Sequence, residues 1–330
     1  MSTKRSTMSA KALLAALLSL VLVLGVAACG DDDDDGGDSG GGGGGDAIVS
    51  NPDNEGVNLT VGSKNFTEQI ILGEIYAQGL EAAGYNVDTQ LNLGDEQVAL
   101  QALKSGEISG YGEYSSTALT SFFDAAPEDV PGDAQQAYED SKAEFEKQGL
   151  TAFPPTPFAS ANAVGTLKET ADELGLETVS DLEGQSEELS LYGSPECRQR
   201  VDCLVGLNDG YGLEFAKFTP VAIDLRYTVL DKGQADLSIL FTTDAQLSAE
   251  ADKYVILEDD QELFPSGNVI FVTDQKVAEE AGPDYEKTIT QVQSGLTVEV
   301  MQELSARVDI DRQEAADVAT EYLQEAGYIE

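Results

Sequence analysis

The sequence predicts an α/β protein folded as two lobes, and three observations carry that expectation. From Leu59 onward, short stretches of alternating apolar residues that end in glycine take turns with stretches of helical spacing. That is the order expected of a mostly parallel sheet covered by helices. Phe153-Pro154-Pro155-Thr156-Pro157-Phe158 then forms a stiff extended crossing, suited to a hinge between lobes. Late in the chain, Val269-Ile270-Phe271-Val272 reads as a strand that returns to the first lobe. The expected boundaries are 57–157 plus 270–330 for the first lobe and 158–269 for the second.

The first segments precede the fold. Lys4, Arg5 and Lys11 lead into the apolar run Leu13 to Val26, followed by Ala27-Ala28-Cys29, the layout of a secretory signal over residues 1–28. The run is shorter than the roughly 20 apolar residues that a membrane span requires. Val26-Ala27-Ala28-Cys29 resembles a bacterial lipobox, which implies lipidation of Cys29 and attachment to the extracytoplasmic face of the cell membrane. Residues 29–56 are read as a tether, because Gly30 to Asp46 is Asp, Gly and Ser and cannot bury enough surface to offset its ordering entropy. Calcium binding by Asp31 to Asp35 is the alternative, although consecutive aspartates lack the spaced ligands of a calcium loop.

Within the fold, Leu59 and Val61 face one way in a strand closed by Gly62-Ser63. Ile70, Ile71, Leu72, Ile75, Tyr76 and Leu80 recur at helical spacing up to Gly84, with Asn65 and Glu68 offset as in a capping box. This helix is expected to start on Lys64-Asn65-Phe66, where free N–H groups, the dipole and Lys64 would suit a carboxylate. Val87, Thr89, Leu91 and Leu93 alternate as a strand, and Val98, Leu100 and Leu103 are helical before Gly106. Further helices are expected over 133–148, to Gly233, and over 285–294, 297–309 and 311–326. Short helical pieces are expected at 171–174 and 179–182. Strands are expected at 189–192, 219–223, 235–241 and 255–257.

Composition narrows the function. Sixty-one acidic against 18 basic residues give a net charge of −43, which excludes nucleic-acid binding through a basic patch. The chain has no histidine, hence no Ser-His-Asp or Cys-His relay. No Walker sequence, dinucleotide fingerprint or spaced metal-ligand cluster is present, so no cofactor is expected. Abundant carboxylates leave a secreted hydrolase using a carboxylate pair as an alternative, and binding without turnover is the simpler reading. With Cys29 lipidated, Cys197 and Cys203 remain as a pair in an exported protein and are expected to bridge, a loop closure worth about 2 kcal/mol.

Val61-Gly62-Ser63-Lys64-Asn65-Phe66-Thr67-Glu68-Gln69, then Gln101-Ala102-Leu103-Lys104-Ser105-Gly106-Glu107-Ile108, then Glu113-Tyr114 with Thr117, resemble the substrate-binding proteins of osmoprotectant ABC importers, the glycine betaine, carnitine and choline binders. The segment Gly193 to Leu207 with Tyr211-Gly212 is similar to theirs as well. The resemblance implies a type II periplasmic-binding-protein fold, with the ligand in the cleft between lobes and release to an ABC permease with its ATPase. It implies a site made of Lys64, Tyr114, Thr117, Glu196, Arg200 and Phe241, in which aromatic faces hold a quaternary ammonium. Three family cage positions carry Asn162, Phe241 and Gly267 here. Phe158, Tyr111, Tyr192 or Tyr227 are candidate substitute faces, and Asn162 and Asn268 are candidates for recognising a more polar ligand.

Two alternatives stay open at this point: Glu196 and Arg200 as a structural ion pair, and Phe241 as a core residue. Lys64 and Arg200 suit a carboxylate while Tyr114 and Phe241 suit a cation, so a zwitterion is expected to bind better than choline. The alternative ligand class is an amino acid or other small polar solute.

Overall fold

The computed structural model describes residues 46–330. The signal segment, Cys29 and the first part of the tether lie outside the described residues. The expected tether is shorter at its far end. Ile48 donates to the Tyr328 carbonyl (2.9 Å) and Asn51 to the Ala83 carbonyl (3.0 Å), while the buried Asn54 side chain also bonds Ala83 O (2.8 Å). Two backbone N–H groups and the Asn54 side chain, each on a first-lobe carbonyl, fasten this stretch although it has little apolar surface.

The first lobe is built on β1 (Asn58–Gly62), β2 (Asn86–Gln90), β3 (Gly110–Tyr114), β4 (Leu150–Ala152) and β5 (Ala159–Ser160). The second holds β6 (Asn162–Leu167), β7 (Ser190–Gly193), β8 (Lys217–Pro220), β9 (Leu237–Phe241) and β10 (Tyr254–Ile256). The returning β11 (Gly267–Asp274) completes the first sheet, whose order is β2-β1-β3-β11-β4 with β5 also on β11. The second sheet runs β10-β6-β9-β7-β8. Both sheets are mixed rather than mostly parallel. β1 is parallel to β2 and β3, and β7 to β8 and β9, but β11 and β6 run antiparallel to their neighbours. The cause is the double crossing: parallel strands end at the cleft, whereas β6 and β11 each start at it. The expected junction 157/158 lies between β4 and β5, and 269/270 lies within β11.

Alternation on β11 explains its place in the middle of a sheet. Val269 and Phe271 belong to the core under helices Thr67–Ala82, Pro283–Gln293, Val298–Asp309 and Ala315–Glu325, while Ile270 and Val272 point into the core under helices Glu96–Ser105 and Ala134–Glu146. A strand buried on both faces reads as a continuous apolar run. In the second lobe, Leu237 and Ile239 of β9 face one core and Leu240 the other.

Several ends differ from expectation for local reasons. The helix that follows β1 starts at Thr67, with Phe66 extended at the N-cap and no side-chain cap, so no capping box forms. β2 stops at Gln90 because Asn92 turns left-handed (φ 59°), leaving Leu91 and Leu93 outside the strand. The last helix starts at Ala315 rather than Asp311, since Arg312 is also left-handed (φ 62°). Asp95 caps helix Glu96–Ser105 through the N–H groups of Gln97 and Val98, both at 3.0 Å. Among the described residues no helix is long and apolar enough to cross a membrane.

Candidate ligand cleft

The parallel strands deliver their carboxyl ends to the gap between the lobes, the place where open α/β sheets bind ligands. β1 leads to Lys64 and Phe66, β3 to Tyr114 and the helical turn Ser115–Thr117, β7 to the loop carrying Arg200 and Asp202, and β9 to Phe241. These residues, with Asn162 and Pro265, line a pocket of about 50 Å³.

Three rings converge there. Phe66 stacks near Tyr114 (centroids 6.2 Å apart, 21° between planes) and meets Phe241 at 5.1 Å. Phe66 was not singled out as a ligand residue by sequence reasoning. Its position directly before the helix, extended and uncapped, aims the ring across the cleft. One face of Phe241 is already covered: the Arg226 guanidinium lies over the ring, 4.0 Å from its centroid, and is tied to Asp244 Oδ1 at 2.8 Å. Phe241 is half-buried and lines the pocket, so its ring is not simply core.

The four candidate substitute faces lie elsewhere. Phe158 and Tyr111 are fully buried in the first lobe, Tyr192 packs against a small core of the second, and Tyr227 is edge-on to Tyr254 with its hydroxyl on Asp244.

The two cations are already compensated. Lys64 is buried, and its Nζ bonds the wholly buried Glu113 carboxylate while lying 4.5 Å from the Tyr114 centroid. Glu113 also accepts from Tyr111 Oη (3.1 Å) and from the Tyr114 N–H (2.8 Å). Burial, and then Glu113 itself, push the Tyr111 hydroxyl well above its usual range. The Tyr114 hydroxyl donates to Glu68, and burial followed by that carboxyl raises its pKa too. Burial likewise raises the pKa of Glu68, against hydrogen bonds from Tyr114 and Thr243.

Arg200 differs from expectation. Its Nε donates to Asp202 Oδ1 (2.8 Å), its Nη1 lies 3.5 Å from Glu96, and its Nη2 reaches Thr117 Oγ1 at 3.4 Å. Burial opposes the charge, but Asp202 and then Glu96 more than offset it and keep the guanidinium protonated. The alternative reading of Glu196 and Arg200 as a structural ion pair is not met: Arg200 pairs with Asp202 and Glu96. Residues Pro195–Gln199 are a 3-10 turn and Arg200 is extended, so a four-residue offset no longer places two side chains on one face. Glu196 instead lines a small adjoining cavity of about 30 Å³ with Cys197 and Asn162. Cys197 and Cys203 are bridged, with Cα atoms 5.2 Å apart, and the bridge encloses the loop that carries Arg200 and Asp202.

Asn162 lines the pocket and donates to the Asp202 carbonyl (3.0 Å). Asn268 is corrected: its amide bonds the carbonyls of Thr156 (2.9 Å) and Phe158 (3.0 Å), stapling the two crossings together away from the pocket. Gly267 is not a cage position with its ring deleted. A Cβ there would stand 2.3 Å from Ser116 Oγ and 2.7 Å from Ser116 N, so the site has no room for a side chain. Asp202 and Glu96 also escaped sequence reasoning. Asp202 meets Arg200 because 201–203 is a turn, closed by the Cys203 N–H on the Arg200 carbonyl (3.3 Å), a fold-back that no sequence pattern announces.

Residues 57–325 match the family described as the substrate binding domain of ABC-type glycine betaine transport systems. The chain belongs to that family. It is 33% identical over 278 residues to a glycine-betaine-binding protein of Pseudomonas aeruginosa, covering 81% of this chain and 87% of that one. It is 27% identical to a carnitine transport binding protein of Listeria monocytogenes, over 82% and 88% of the two chains. A crystal structure of a glycine betaine/carnitine/choline ABC transporter protein superposes with a TM-score of 0.65 at 26% identity, over 82% of this chain and all of that one. The family members are solute-binding proteins, and the two lobes around a ring-lined cleft are those of a binding protein rather than an enzyme.

Proposed function

We propose that this protein captures glycine betaine or a related quaternary ammonium osmoprotectant outside the membrane and passes it to an ABC permease with its ATPase. The observation that carries the reading is the convergence of Phe66, Tyr114 and Phe241 on one small pocket between the lobes. A trimethylammonium group has no N–H to donate and is attracted to π faces, at about 0.5–2 kcal/mol each. Closure of two lobes on a hinge takes that group out of water. Lys64 and Arg200, each held by a carboxylate, are positioned to meet the other end of the ligand, with Thr117 between them.

A thermal-shift panel of glycine betaine, proline betaine, carnitine, choline and amino acids tests this. A quaternary ammonium ligand at 100 times its Kd is expected to add about 2.7 kcal/mol of stability. Stabilisation by an amino acid alone would replace this reading with that of an amino-acid receptor.

We also propose that Cys29 is the lipidated N-terminus that holds the protein at the extracytoplasmic face of the cell membrane, on the strength of the basic, apolar and Ala27-Ala28-Cys29 segments in sequence. Intact mass of membrane-extracted protein is expected to begin at a lipid-modified Cys29. Retention of Met1 to Ala28, or an unmodified Cys29, would refute it.

A further inference from the structure

Arg200 reaches from the second lobe to the first. Asp202 sits two residues away on the same disulfide-closed loop and moves with it, whereas Glu96 belongs to the first turn of the opposite lobe's helix Glu96–Ser105. The Glu96 contact, 3.5 Å from Arg200 Nη1, therefore exists only when the lobes are together. Both side chains are largely buried, at 7% and 16% exposure, so the pair is poorly screened.

We propose that Glu96 is a positioning residue for Arg200, clasping the guanidinium across the cleft and thereby setting which ligand charge the closed site accepts. With Nε and Nη2 on Asp202 and Nη1 at Glu96, a ligand carboxylate meets an arginine whose charge is compensated twice, with a like charge beside it. A ligand that is only cationic meets no such repulsion and gains from the extra negative charge. The selectivity part rests on the proposed function, while the clasp itself does not.

The test has two arms on the full chain. Single-molecule distance measurements with labels on the two lobes compare the ligand-free parent with Glu96→Gln, which keeps the size of the side chain and removes its charge. The closed-to-open ratio is expected to fall about fivefold or more, the shift of a two-state equilibrium that loses one contact made in one state. Calorimetric titration with glycine betaine and with choline is expected to shift the ratio of their Kd values about tenfold towards betaine, or 1.4 kcal/mol. Glu96→Asp, which keeps the charge on the same helix turn, is expected to return that ratio towards the parent's. Unchanged interlobe distances in Glu96→Gln, or an equal loss for both ligands, would overturn the proposal. If the parent takes up neither ligand, the proposed function falls and the ligand-free distances alone decide on the clasp.

Discussion

Lys64→Met is expected to destabilise the protein by about 3–5 kcal/mol, the cost of stranding one member of a buried ion pair. Glu113 is wholly buried, and Lys64 Nζ is its charged partner; Tyr111 Oη and the Tyr114 N–H would remain as neutral donors. Those two hydrogen bonds do not neutralise a carboxylate removed from water. Adding Glu113→Gln to Lys64→Met removes the stranded charge and is expected to recover more than half of the loss. Urea unfolding of the three proteins checks this. A loss below about 1 kcal/mol for the single variant, the range of an exposed pair, would mean that Glu113 finds solvent.

Gly267→Tyr is expected to lower stability by the upper end of the 1–3 kcal/mol typical of overpacking, without any gain in affinity. Resemblance to the family makes this position look like a cage wall waiting for its ring. The close approach to Ser116 makes it a contact between the second crossing and the turn Ser115–Thr117, and one of the atoms met is a backbone nitrogen, which cannot swing aside. Thermal unfolding and a betaine titration of the variant give the two readouts. Tighter binding at unchanged stability would show that the turn yields and that a fourth ring can enter.

What the sequence revealed depended on whether the signal was local. The alternation at Val269 to Val272 and the helical spacing from Ile70 to Leu80 are properties of the elements themselves, and they located the lobes and the returning strand. The proline crossing was legible for the same reason. Antiparallel insertion of β6 and β11 was not, because the direction of a strand in a sheet depends on where the chain enters the lobe. Left-handed turns at Asn92 and Arg312 shortened a strand and a helix without any glycine to announce them.

In the cleft, Tyr114, Thr117, Arg200 and Phe241 come together across more than a hundred residues of chain, and it was motif resemblance that pointed to them. Phe66 lies within the family-like motif at a helix start, and nothing local says which way an N-cap ring points. Glu96 could not be found from sequence: its partner lies in the other lobe. Asn268 points onto the Thr156 and Phe158 carbonyls, because motif position fixes the chain and not the direction of the side chain, and Glu196 lines the adjoining cavity with Arg200 and Phe241.

The central claim is that a quaternary ammonium group is held on the rings of Phe66, Tyr114 and Phe241. Calorimetric titration of the parent and of Phe66→Ala with glycine betaine tests it most directly, with melting curves to confirm that both are folded. Saturable binding of one betaine per chain by the parent is predicted, with Kd raised about 2- to 30-fold in Phe66→Ala, the equivalent of one lost π face at about 0.5–2 kcal/mol. An unchanged Kd in Phe66→Ala, or no binding of betaine, carnitine or choline by the parent, would contradict it.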